Sequence, residues 1–174
     1  EQDIAAFGLE LMNKFQLGEE TAKVGLVHFS DAATITSYLT TDLAALDETL
    51  SREARAEGRT TISGGLAKGL QVITGAGSRA DAQQIILLLT DGEQTIDGDD
   101  STAIAQATYV KSQGPSIFAV GFGTANEATM DAIASDPDSI FSIKSTSTDA
   151  VREYFDQADL CTLVSSPRSP PPSP

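Results

Sequence analysis

Cysteine, histidine and positive charge are scarce in this chain of 174 residues, and each scarcity closes off a class of function. The one cysteine, Cys161, cannot pair within the chain, so it is either a free thiol or half of a bridge to something outside. The one histidine, His28, lies in an apolar stretch with no second histidine or cysteine beside it. That rules out a His/Cys zinc site and leaves nothing from which to build a Ser-His-Asp arrangement. Eleven basic against 25 acidic side chains give a net charge of −14, which argues against nucleic acid or an anionic membrane as partner. No apolar run approaches the roughly 18 residues of a spanning helix, so no membrane contact is expected of this segment. There is no initiator Met and no signal peptide, and a helical pattern already runs at the first residues. The expectation is a fragment of a longer protein.

What is present fits one globular domain with a core of its own, since 40% of the residues are apolar. The most informative stretch is 84–98, where five large aliphatics at 85–89 run into Thr90-Asp91-Gly92-Glu93. An unbroken apolar run bounded by polar residues suits a strand covered on both faces in a parallel sheet. Asp91 then falls at the C-terminal end of that strand, where open α/β sheets bind ligands. A carboxylate in that place calls for a partner, and a hard cation suits it.

Apolar and polar residues alternate between helix and strand periods along most of the chain. Ile4, Phe7, Leu11 and Phe15 follow helical spacing, with Gly18 as a stop. Residues 24–29 read as a buried strand and 33–39 as an antiparallel edge strand. Asp42 caps a helix carrying Leu43, Leu46 and Leu50. A polar loop at 55–61 feeds a second helix with Ile62, Leu66, Leu70 and Ile73 on one face. Ser101 is expected to cap a helix ending at Gly114-Pro115, and 117–122 is another buried strand. A short helix around Met130 and Ile133, a turn at 136–138, a strand at 139–143 and a helix carrying Val151, Tyr154, Phe155 and Ala158 complete the domain. This order gives a doubly wound, mostly parallel, Rossmann-like α/β sheet with helices on both faces and one antiparallel edge strand. The domain is expected over 1–163, followed at 164–174 by a Pro/Ser-rich extended linker. Ser-Pro-Pro-Pro-Ser-Pro there also resembles the hydroxyproline-rich repeats of plant and green-algal wall proteins.

Other local patterns have structural readings. Asp97, Asp99 and Asp100 lack the alternation and distal Glu of an EF-hand loop and instead make a charged helix N-terminus. Gly121-Phe122-Gly123 is not a dinucleotide fingerprint, because Asn126 stands where the third glycine belongs.

Four motifs occur in order: Val24-Gly25-Leu26-Val27-His28-Phe29-Ser30-Asp31, the loop 58–66, Leu88-Leu89-Thr90-Asp91-Gly92-Glu93, and Ala119-Val120-Gly121-Phe122-Gly123. Together they closely resemble the von Willebrand factor type A domain, over about residues 1–160. The resemblance implies a metal-ion-dependent adhesion site for Mg2+, or Mn2+ or Ca2+, with Thr60 and Asp91 as ligands. Thr61 is the alternative threonine, and Thr60 also sits where it could cap the helix at Ile62. Ser30, Asp31, Thr61 and Glu93 are expected near the rim. The family's Asp-x-Ser-x-Ser turn is absent from these residues. With strand order 3-2-1-4-5-6, the family's first and central strand, between 22–30 and 84–90, is expected to be missing. Cation binding is therefore expected to be weak or absent, and stability on its own poor.

The resemblance further implies a binding module and not an enzyme. Its metal would accept an Asp or Glu carboxylate of a protein ligand, in an extracellular, cell-surface or wall-matrix setting. Cys161 would be the C-terminal half of a disulfide to the missing N-terminal segment. Two other readings remain: an intracellular type A domain acting as a scaffold subunit of a multiprotein complex, and a Rossmann-like enzyme.

Overall fold

The computed structural model describes residues 4–53, 59–145 and 148–157. Cys161, the linker at 164–174 and Ala158 of the last helical stripe lie outside the described residues. The elements run α1 (Ile4–Met12), β1 (Val24–Phe29), β2 (Ala33–Thr40), α2 (Leu43–Glu53), α3 (Ile62–Ile73), β3 (Ile85–Thr90), α4 (Asp100–Ser112), β4 (Ser116–Phe122), α5 (Glu127–Ile133), α6 (Asp138–Phe141), β5 (Ser142–Ser145) and α7 (Thr148–Gln157).

The helices follow the apolar spacing and the strands follow the runs of large aliphatics and β-branched residues. Several boundaries differ from expectation. α1 stops at Met12, short of Phe15 and of the stop expected at Gly18, because the Lys14 and Phe15 N–H groups turn back to the Leu11 and Met12 carbonyls three residues earlier. Asp99, not Ser101, caps α4, its side chain accepting from the Ser101 N–H. The strand expected at 139–143 begins only at Ser142, because the Pro137 carbonyl accepts from the N–H groups of Ile140 and Phe141 and winds 138–141 into a helical turn.

β3, β4 and β5 form a parallel sheet, with Ile85 opposite Ser116 and Ala119 opposite Ser142. β1 and β2 form a separate antiparallel pair in which Phe29 faces Ala33. No described strand lies between β1 and β3, so each is paired on one side only among the described residues. The expected single sheet thus appears as two, with the break where the central strand was expected to be absent.

Helices cover both faces. A Cβ at Gly69 of α3 would lie 3.3 Å from Ile86, whereas one at Gly8 of α1 would lie 3.8 Å from Leu89. Residues an odd number apart on a strand point to opposite faces, so α3 and α1 sit on opposite sides of β3. On β4, Phe122 meets Phe7 of α1 at 5.9 Å between ring centroids and Phe118 meets Phe155 of α7 at 6.0 Å. Gly121, on the other face, packs against Met130 of α5.

α3 also holds the two sheets in place. A Cβ on Gly25 would fall 2.5 Å from Val72, and one on Gly65 would fall 2.8 Å from the Phe29 ring. Glycine at these positions lets strand and helix backbones approach closely enough for α3 to touch β1 as well as β3.

Burial reflects the break. Every residue of β4 is buried, but in β3 only Leu88 and Thr90 are, and all six of β1 are half-buried. The aliphatic run at 85–89 therefore does not sit in a fully covered strand as its composition implied. A strand flanked on both sides shields its side chains with neighbours on each; among the described residues β3 has only β4. At the other edge, α7 is tied to α1 through Arg152 with Glu10 and Lys14 with Asp156, exposed pairs that add little stability each.

Candidate functional site

The C-terminal ends of β3 and β4 and the N-terminus of α3 meet at one edge of the structure. The backbone there is held by specific local bonds. Thr61 is 2% exposed, and its hydroxyl accepts from the Gly64 N–H at 3.3 Å, which caps α3. Its own N–H donates to the Ser30 carbonyl at 3.0 Å. Thr61 therefore faces inward as the helix cap. This corrects both the expectation of a rim position for Thr61 and the capping role considered for Thr60.

Thr60 is held differently. Its N–H donates to Thr95 Oγ1 at 2.8 Å, and its carbonyl accepts from Thr95 N at 2.9 Å and Ile96 N at 3.2 Å. The backbone is fully engaged, while among the described residues the Thr60 hydroxyl has no hydrogen bond. A Cβ placed on Gly92 would lie 3.1 Å from that hydroxyl oxygen. The Thr60 side chain thus stands beside the residue next to Asp91, in the gap that glycine keeps open.

After β3 the chain turns on Thr90, which is 4% exposed and accepts from the Gly92 N–H at 3.3 Å. The turn leaves Asp91 exposed. The Asp91 carbonyl accepts from Thr124 Oγ1 at 2.9 Å, which joins this loop to the one following β4. Among the described residues the Asp91 carboxylate has neither hydrogen bond nor ion pair. Among the described residues the side chains of both sequence-selected oxygen donors are therefore unengaged, Thr60 beside Gly92 and Asp91 next to that glycine in the chain.

Gln94 fixes the loop from beneath. It is 5% exposed; its Oε1 accepts from Ser63 N at 3.1 Å, and its Nε2 donates to Ser63 Oγ at 2.8 Å and to the Ile96 carbonyl. Its N–H donates to Asp100 Oδ1 at 3.0 Å, and Asp100 Oδ2 accepts from Thr129 Oγ1 at 2.6 Å. A chain of polar contacts thus runs from α3 through the acidic loop to α5. Gln94, Thr95 and Thr124 were not among the sequence candidates. Their signal is that short polar runs follow the C-terminal ends of both parallel strands.

Beside Thr60 lies a depression of about 600 Å³ lined by Arg59, Thr60, Gly92, Glu93, Thr95 and Thr124; Asp91 is not among its lining residues. Of the expected rim residues, Glu93 lines it. Asp31 sits beside it, accepting from the Arg59 N–H at 2.8 Å with the Arg59 guanidinium Nε at 3.7 Å. Ser30 uses its N–H on the Ala32 carbonyl and its carbonyl on Thr61. His28 is half-buried opposite Thr34 on β2.

The acidic run at 97–100 makes a helix start and not a second cleft. Hydrogen bonds from the Ser101 hydroxyl, and then from its backbone N–H, hold the exposed Asp99 carboxyl below the usual range. Among the described residues no group of three or more His, Cys, Asp or Glu could hold a metal. A hydroxyl and a carboxylate are oxygen donors of the kind a hard cation takes.

A family model described as the von Willebrand factor type A domain matches residues 2–157. Among curated proteins, human collagen alpha-1(XX) chain is 31% identical over 143 residues, which cover 78% of this chain and 10% of the collagen. Among solved structures, proximal thread matrix protein 1 from the mussel byssus, with a zinc-occupied MIDAS motif, superposes with a TM-score of 0.73 at 21% identity. The match covers 88% of this chain and 38% of that one. Manganese-loaded Plasmodium vivax TRAP protein gives 0.69 at 17% identity, covering 88% of this chain and 65% of that one. These structural likenesses are of fold. The chain spans about a tenth of the collagen it matches.

Proposed function

Because this chain belongs to the von Willebrand factor type A family, we propose that it is a non-enzymatic protein-binding module whose partner-facing surface is the cleft between Thr60 and Asp91. The single observation that carries this reading is the pair of unengaged oxygen donors, each on a backbone held by hydrogen bonds, at the Thr60 N–H and carbonyl and at the Asp91 carbonyl. Both groups are open to solvent, and exchanging their waters for a ligand breaks no internal hydrogen bond among the described residues.

Thr60 and Asp91 would hold the cation, Mg2+ by preference for an all-oxygen set, or Mn2+ or Ca2+. When bound, the cation supplies a Lewis-acid anchor for a carboxylate oxygen of an Asp or Glu on a protein partner. The chain's own part is positional. Thr95 and Ile96 fix the Thr60 backbone, Thr90 and Thr124 fix the Asp91 loop, and Gly92 keeps the space between them clear. With two protein donors, affinity for the metal is weak. The zinc- and manganese-loaded neighbours support cation binding by the fold, and the collagen supports an extracellular matrix or cell-surface setting.

Calorimetric titration with magnesium tests this reading. The wild-type chain should give a weak, saturable response, and Asp91→Ala should reduce the affinity about 10-fold or more, to the level of non-specific surface carboxylates. Thr60→Val should weaken it to a smaller degree. An Asp91→Ala chain that responds as the wild type does would remove the assignment.

A further inference from the structure

We propose that Arg59 is a direct contact for the partner's carboxylate, its guanidinium leaving a loose pairing with Asp31 to grip an anion that enters the depression beside Thr60. The proposal rests on the reading of this cleft as the partner-facing surface and adds a specificity-determining residue that acts without the cation.

Asp31 is held by two contacts of unequal quality. The Arg59 backbone N–H donates to Asp31 Oδ1 at 2.8 Å, a well-formed bond, whereas the guanidinium Nε stands off at 3.7 Å. Both side chains are exposed, 71% for Arg59 and 62% for Asp31, so the ion pair itself contributes little. If the guanidinium swings away, Asp31 keeps the backbone bond and no buried charge is stranded. The exchange is cheap on the protein's side.

The base of the arginine is nevertheless fixed. Its N–H is anchored on Asp31, and the next residue is clamped by Thr95 and Ile96. The fixed root keeps the guanidinium within reach of the depression, while the exposed side chain still loses rotamer freedom on engaging a ligand. Arg59 is also the basic residue among those lining the depression, in a chain of net charge −14. With that background and Glu93 also lining the depression, an approaching carboxylate meets repulsion unless a local positive group offsets it. The planar guanidinium fork matches a carboxylate's two oxygens, and Thr95 Oγ1, which accepts from Thr60, still has its own O–H to donate.

The test uses N-acetyl-aspartate amide as probe and N-acetyl-asparagine amide as its uncharged counterpart. Binding is followed through the backbone amide resonances of Gly92 and Thr95, once with magnesium and once with chelator. The aspartate probe should shift these signals and the asparagine probe should not. Arg59→Gln should weaken aspartate binding about 5- to 10-fold, by a similar factor in both conditions. Arg59→Lys should recover only part of the loss, and the unfolding midpoint should stay unchanged in both variants. If Arg59→Gln binds as tightly as the wild type while magnesium strengthens binding in both, the arginine inference fails and the cation reading stands. If the wild type answers the asparagine probe equally, or answers neither probe under either condition, the carboxylate reading fails and takes this inference with it.

Discussion

Phe118→Ala should destabilise the chain by about 3–5 kcal/mol, the usual range for a fully buried phenylalanine cut back to alanine. Phe118 is 0% exposed on β4, the middle strand of the parallel sheet, with the Phe141 ring at 4.5 Å and the Phe155 ring at 6.0 Å between centroids. It links α6, α7 and the sheet, so no single neighbour can move in to fill the space it would leave. Small domains are stable by about 5–15 kcal/mol, and a sheet with two open strand edges should lie near the bottom of that range. A loss of this size should leave much of the variant unfolded at room temperature. Leu87→Ala on β3 offers the contrast. Leu87 has an equally apolar strand around it but is only half-buried, and its truncation should cost clearly less than that of Phe118. Urea midpoints for the two variants check both the size and the order; equal losses would mean that β3 is as well covered as β4.

Gln94→Leu should produce the second large effect, a loss of about 2–4 kcal/mol, from unpaired polar groups and not from a cavity. Leucine has nearly the volume of glutamine but strands the Ser63 N–H, the Ser63 hydroxyl and the Ile96 carbonyl, which Gln94 satisfies at a position 5% exposed. The same substitution should loosen the grip of Thr95 and Ile96 on Thr60. Amide exchange at those two residues should therefore accelerate by more than the global loss of stability accounts for. Gln94→Glu keeps an acceptor for Ser63 N and loses the Nε2 donor, so it should be less damaging than leucine at mildly acid pH. A Gln94→Leu chain with an unaltered urea midpoint would show that the polar chain from α3 to α5 carries no stability.

The contrast between these two residues shows what could be read along the chain. Phe118 lies in an apolar run, and the spacing of Ile62, Leu66, Leu70 and Ile73 similarly marks α3, because a local period encodes burial. Asp91 was legible for the same reason: it closes a strand. Gln94 was not, because its partner Ser63 lies 31 positions away and only the fold brings the two together. The threonine pair was ambiguous because both precede Ile62; the capping bond from Gly64 is what turns Thr61 inward and leaves Thr60 facing the cleft. The strand expected at 139–143 failed where a helical turn and a short strand share the same apolar residues, and Pro137 decided in favour of the turn. The partial exposure of β3 could not be read from composition, since an aliphatic run says what a strand can bury and not whether a neighbour is there to bury it.

Paramagnetic broadening by manganese tests most directly whether Thr60 and Asp91 form one cation site. Substoichiometric Mn2+ should broaden the amide signals of Thr60, Asp91, Gly92 and Glu93 first and spare those of the acidic run at 97–100, with Asp91→Ala abolishing the selectivity. Broadening centred on residues 97–100, or an unchanged pattern in the Asp91→Ala chain, would contradict it.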